Sequence, residues 1–117
     1  MTDVRQILRR HGLEPRRELG QHFLVDARAL ARIVAAAELM PGDAVLEIGA
    51  GVGNLTRLLA ASAGRVVAVE VDRRFLPVLE AELADCPHVH LVAGDILTLD
   101  PSDLMGEGPY KVVANLP

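Results

Sequence analysis

Apolar residues recur along the chain with two alternating periods. Val4, Ile7 and Leu8 fall at helical spacing between Asp3 and His11, and Gly12 offers a stop. An irregular stretch with Pro15 and Gly20 follows, ending in Gln21-His22-Phe23-Leu24. Asp26 stands where an N-cap belongs, and Leu30, Ile33, Val34 and Ala37 form the apolar stripe of a second helix. After the turn Pro41-Gly42-Asp43, Ala44 to Ile48 reads as a strand that ends in glycines at 49, 51 and 53. Leu55, Leu58 and Leu59 open the next helix, which stops near Gly64.

The unit then repeats. Arg65 to Glu70 holds the run Val66-Val67-Ala68-Val69, the pattern of a strand buried on both faces. Asp72 is expected to cap a helix running towards Asp85, with Phe75, Leu76, Leu79 and Leu83 inward; Pro77 should kink or delay it. Val89 to Val92 is a third strand, closed by Gly94-Asp95. Pro101 to Leu104 starts a short helix, and Tyr110 to Ala114 is a fourth strand. Strands alternating with helices mean right-handed crossovers and a parallel α/β sheet. The fourth strand reaches the end of the sequence without a covering helix. An exposed apolar edge strand is an aggregation template, so the sheet is expected to be truncated here and the chain to be the front part of a longer protein.

Composition narrows the class. The 117 residues are 50% apolar and 24% charged, which excludes disorder and fibrous repeats. The single Cys86 cannot close an internal disulfide, which fits a reducing compartment. With no long uncharged apolar run and no apolar core in Met1 to Arg5, neither a membrane helix nor a secretory signal is expected. A cytoplasmic protein is the expectation. The net charge of −4 is unevenly spread: residues 1–32 hold seven arginines against four acids, and the remainder five basic residues against twelve acids. A basic end on an acidic body permits contact with phosphates without demonstrating it.

In a parallel α/β sheet, ligands sit at the carboxyl ends of the strands. This chain places Glu47 and the glycine loop, Glu70, Asp95 and Asn115 there. Gly49 and Gly51 let the backbone approach a ligand, and the helix opening near Asn54 aims its amides at it. Glu70 follows Gly49 by 21 residues, the spacing at which an acid binds a ribose diol. A dinucleotide or S-adenosyl-L-methionine would satisfy that pattern. The dinucleotide fingerprint is incomplete, because Asn54 stands where it wants glycine. Glu47 would oppose a pyrophosphate and suit a sulfonium with an ammonium, so charge favours S-adenosyl-L-methionine. Asp95 can accept from an adenine amino group or merely cap the next segment. His88 and His90 have no companion ligands and read as surface or packing residues, and no metal site is expected.

Gly20-Gln21-His22-Phe23-Leu24, Glu47-Ile48-Gly49-Ala50-Gly51, Glu70-Val71-Asp72, Gly94-Asp95-Ile96 and Asn115-Leu116-Pro117 occur in that order. Together they resemble the ribosomal RNA adenine N6-dimethyltransferase family, the KsgA group, with the macrolide-resistance Erm methylases as cousins. The resemblance runs from about residue 15 to 117, and Leu116 is more similar to the small-subunit enzymes than to the Erm branch. It implies a Rossmann-like class I methyltransferase domain whose front part is residues 26–117, with the basic segment 1–25 contributing to the cofactor site.

The resemblance also implies roles. His22, where the family often has Asn, and Leu24 would contact S-adenosyl-L-methionine. Gly49 would lie along its methionine part, Glu70 at the ribose, and Asp95 with Ile96 at the adenine; Gly51 and Val71 would also contact the cofactor. Asn115, Leu116 and Pro117 would hold the target amine, and Asn115 would also border the cofactor. The implied reaction is N6,N6-dimethylation of two adjacent adenosines in small-subunit (16S) ribosomal RNA, on a pre-30S particle, by a monomer. An aromatic residue follows the proline in the family, and this chain ends before it, so the chain alone is expected to be inactive. A methyltransferase for large-subunit RNA, a non-catalytic relative acting as an RNA-binding or transcription factor, and a dinucleotide oxidoreductase are the alternatives.

Overall fold

The computed structural model describes residues 4–13 and 27–115. Two runs of β-branched and small apolar residues, Ala44–Ile48 (β1) and Arg65–Glu70 (β2), become the inner strands of a four-stranded parallel sheet. Val89–Ala93 (β3) flanks β2 and Lys111–Ala114 (β4) flanks β1, giving the order β3-β2-β1-β4. Burial follows position: all of β2 beyond Arg65 is buried, whereas β3 and β4 are partly exposed. Val112 on the outer strand β4 is 56% exposed. The parallel α/β reading and its strand order of appearance are therefore as expected from the alternation of periods.

Side chains alternate along β2, so its two faces belong to different layers. Val66 and Ala68 meet the helices Val4–Arg10 (α1), Ala27–Ala37 (α2), Asn54–Ser62 (α3) and Leu76–Glu82 (α4). Val67 and Val69 meet a thinner layer built around Met105 of the short helix Pro101–Met105 (α5). The helix α1 closes as the sequence predicts: Gly12 takes φ 71°, Leu13 N–H donates to the Leu8 carbonyl and Gly12 N–H to that of Arg9. That is a Schellman stop, with Leu13 packed against the cluster that contains Leu8. The expected Asp26 cap of α2 lies outside the described residues.

One expectation is corrected. Asp72 does not cap a continuous helix; its carboxylate accepts from Arg74 N–H and caps a 3-10 turn, Arg73–Phe75. The α-helix starts at Leu76, which puts Pro77 in its first turn, where an amide has no intrahelical partner to lose. Proline delays the helix and does not kink it. The outer strands also shift slightly, β3 extending to Ala93 and β4 beginning at Lys111 after Tyr110.

The amino-terminal end of the sheet is clamped by cations on helix carbonyls. Lys111 Nζ donates to the carbonyls of Ala37 (2.8 Å) and Glu38 (2.7 Å) at the end of α2 and pairs with Asp43 at 3.3 Å. Arg65 donates to the carbonyls of Leu104 and Met105 at the end of α5. Between these, Gly64 N–H donates to the Asp43 carbonyl, and a Cβ on Gly64 would stand 2.4 Å from the Pro41 carbonyl oxygen. Gly64→Ala is therefore expected to cost about 1–3 kcal/mol, as overpacking does. Gly42→Ala, whose Cβ meets open space, should change stability by less than about 0.5 kcal/mol. Urea unfolding of the two variants checks the contrast.

Candidate active site at the strand tips

All four strands run the same way, so their carboxyl ends share one edge. Ile48 is level with Val69 on one side and Ala114 on the other, and Glu70 is level with Ala93. Glu47, the glycine loop, Glu70, Asp95 and Asn115 consequently stand along a single rim. Of the other expected site residues, Val71 is 65% exposed beside Glu70, and Ile96 is half-buried under the rim. His22, Leu24, Leu116 and Pro117 lie outside the described residues.

The loop needs its glycines, which take φ values of 80°, 60° and 90° at positions 49, 51 and 53, in the left-handed region. Its amides are turned inward. Those of Gly49 and Ala50 both donate to the Val69 carbonyl, and Gly51 N–H donates to Glu70 Oε1 at 2.7 Å. Glu70 Oε2 accepts from Asp72 N–H at 2.9 Å. One carboxylate thus ties the loop to the tip of β2. A phosphate cradle is built from free amides, and here three successive ones are engaged within the protein.

Glu47 sits one strand away and deeper, 1% exposed, accepting from the Thr56 hydroxyl of α3. Alternation places it on the sheet face that carries α3, the same face as Ala68 and Glu70. Burial raises its carboxyl to about 7; the Thr56 bond works against that rise and the neighbouring charge of Glu70 adds to it. Asp95 is exposed and its carboxylate accepts from Leu97 N–H at 2.9 Å, so it does cap the following turn, Ile96–Thr98. A second carboxylate oxygen remains for a ligand, so capping and recognition are compatible. Of the two histidines, His88 Nε2–H donates to the Ala60 carbonyl and His90 is exposed.

Sequence reasoning missed three features. Thr56 carries no signal beyond its place in the first turn after the glycine loop. Asp72 supplies the amide that completes the Glu70 tie, and Gly51 serves that tie through its N–H. The donor set as a whole fits a cationic ligand bearing a diol and an amino-substituted ring; it does not fit a pyrophosphate.

A family model described as ribosomal RNA adenine dimethylase matches residues 12–117. The chain belongs to the ribosomal RNA adenine dimethylase family. Among the curated relatives is ribosomal RNA small subunit methyltransferase A of Moorella thermoacetica, 51% identical across 95% of the chain and 42% of that protein. The protein of the same name from Pelotomaculum thermopropionicum is 47% identical across 97% of the chain and 42% of its own length. The chain therefore spans about two fifths of these relatives. Among solved structures, the 23S rRNA methyltransferase ErmE superposes with a TM-score of 0.73 at 39% identity, covering 81% of this chain and 37% of that one. A dimethyladenosine transferase from Plasmodium falciparum gives 0.67 at 26%, covering 79% and 32%.

The buried acid has a stability signature. An acid whose folded value lies above its unfolded one leaves the native state untaxed while protonated and loses stability as pH rises through the interval, here from 4.5 to about 7. The interval corresponds to a loss on the order of 3 kcal/mol. Glu47→Gln is expected to remove that decline and to be more stable than the parent above neutrality. Urea unfolding across the interval measures it.

Proposed function

We propose that the whole protein uses S-adenosyl-L-methionine to dimethylate N6 of two adjacent adenosines in small-subunit ribosomal RNA, on a precursor of the small ribosomal subunit in the cytoplasm. The observation that carries this reading is the rim itself: two carboxylates and an amide on three strand tips of a family member whose glycine loop spends its amides internally. When bound, the cofactor supplies a methyl group on a cationic sulfur. Glu70, fixed by the Gly51 and Asp72 amides, keeps lone pairs for the ribose hydroxyls. Asp95 would accept from the cofactor's adenine amino group, with Ile96 beside it, and Gly49, Gly51 and Val71 are the other described residues that would hold the cofactor. His22 and Leu24 are the further residues we assign to the cofactor, by likeness to the family's motif.

An adenine amino group is a poor nucleophile, because its lone pair is delocalised into the ring. The Asn115 side-chain oxygen and the Leu116 carbonyl are the acceptors we assign to its two hydrogens, with Pro117 completing the motif. This favours a pyramidal nitrogen whose lone pair is aimed in line, so orientation supplies much of the rate. Exposed arginines of α1 and α2, such as Arg9, Arg28 and Arg32, are suited to the RNA backbone. A specific observation also favours a large-subunit RNA substrate, namely the likeness to ErmE.

Transfer of labelled methyl groups to isolated undermethylated small and large subunits separates the two substrates; label on the large subunit alone would reject the first. Glu70→Ala should weaken cofactor binding by about 1–3 kcal/mol in calorimetry, the range for losing a charged hydrogen-bond partner. Asn115→Ala should lower that affinity far less than Glu70→Ala does and should abolish methyl transfer.

A further inference from the structure

Two buried acids stand under one glycine loop, and the reading above uses only Glu70. Glu47 is as enclosed as the hydrophobic core, and among the described residues its side chain has a single hydrogen-bond partner, the Thr56 hydroxyl, itself fully buried. The Thr56 hydroxyl donates to the charged form and so favours it, and it can also accept from the protonated form, so Thr56 holds the carboxyl in place in either state. A carboxylate enclosed beside another acid, at the tip where a cation binds, is poised to change protonation with occupancy.

We propose that Glu47 is a positioning residue that carries a proton while the crevice is empty and releases it to solvent as the cationic cofactor binds, with Thr56 holding the carboxyl beneath the loop. The inference rests on the cofactor reading above. No bond to carbon or sulfur changes in this step; one O–H bond breaks and the proton passes to buffer. The charge thereby appears only when a positive ligand is there to balance it.

The surroundings leave Glu47 few other partners among the described residues. On β2, Glu70 is the charge that reaches it, and Arg65 is at the opposite end, bound to α5 carbonyls. On β4, Lys111 is likewise at the far end, on Ala37, Glu38 and Asp43. On α3, Arg57 turns outward to Asp85 and the Glu82 carbonyl. On α2, Arg28 and Arg32 are exposed; on α1, Arg5 and Arg9 are exposed, and Arg10 and His11 face Glu82 of α4.

The test is calorimetric titration of the full-length protein with S-adenosyl-L-methionine, near pH 6.5, in two buffers of different ionisation enthalpy. Release of roughly 0.7 proton per site is expected, with affinity rising roughly tenfold between about pH 6 and pH 8. Binding without proton release would overturn the proposal and leave the cofactor reading intact; no binding at all would sink that reading instead. Glu47→Gln should bind with pH-independent affinity and release no proton, and unchanged release in that variant would assign the proton elsewhere and reject the inference. Thr56→Val should move the midpoint of the affinity profile to higher pH; an unmoved midpoint would remove Thr56 from the positioning role. Should the Gln variant fail to fold, the two-buffer measurement on the parent protein decides the matter.

Discussion

The Glu70 carboxylate accepts one amide from the glycine loop and another from the segment that follows its own strand. These two bonds set how the loop after β1 lies against the tip of β2, and hence where the floor of the crevice is. Ala50 and Val52 pin the loop into the core from one side, and its left-handed glycines would otherwise leave the backbone between them conformationally free. A group with two acceptor oxygens in nearly full burial can impose one arrangement where the backbone alone would permit several. Fold and site therefore meet in a single side chain: replacing it would leave the Gly51 and Asp72 amides without their acceptor.

That arrangement also decides the sign of the site. An α/β sheet with a glycine loop and a helix opening behind it is a natural anion receptor. Here the amides of residues 49, 50 and 51 are consumed by β2, and the charges nearest the loop are the two buried acids Glu47 and Glu70. The helix α3 starts from Gly53 without a side-chain cap, so its positive end opposes the two acids and lowers the strain of having both there. Shared architecture with dinucleotide enzymes thus leads to the opposite ligand charge.

Much of this was legible in the sequence because burial imposes periodicity. The continuous apolar run of β2 and the helical stripe Leu30, Ile33, Val34 and Ala37 translate directly into a central strand and a docked helix. The strand-tip residues were legible because a parallel sheet fixes which end of each strand meets ligand. What stayed hidden is pairing across distance. The Thr56 to Glu47 bond, the Lys111 clamp on α2 and the Arg65 clamp on α5 join residues with no common periodicity. The segment after Asp72 is ambiguous for a local reason: a cap signal followed by proline supports a tight turn as readily as a helix start, and the turn Arg73–Phe75 ahead of a helix that opens at Leu76 resolves it.

The two ends of the sheet divide the thermodynamic labour. At the amino-terminal end, cations satisfy helix carbonyls, Asp43 and Met40 exchange hydrogen bonds across a turn, and Gly64 packs against Pro41. Everything there is matched. At the carboxyl end, an acid is buried against its preference beside another acid, and three left-handed glycines are held in place. Strain of this kind persists only where the surroundings over-determine it, and the clamped end supplies the rigidity that lets it persist. A sheet optimised uniformly for stability would place a leucine at position 47. Retaining an acid there makes the empty site less stable and prepares it for a positive ligand, the usual exchange between stability and activity.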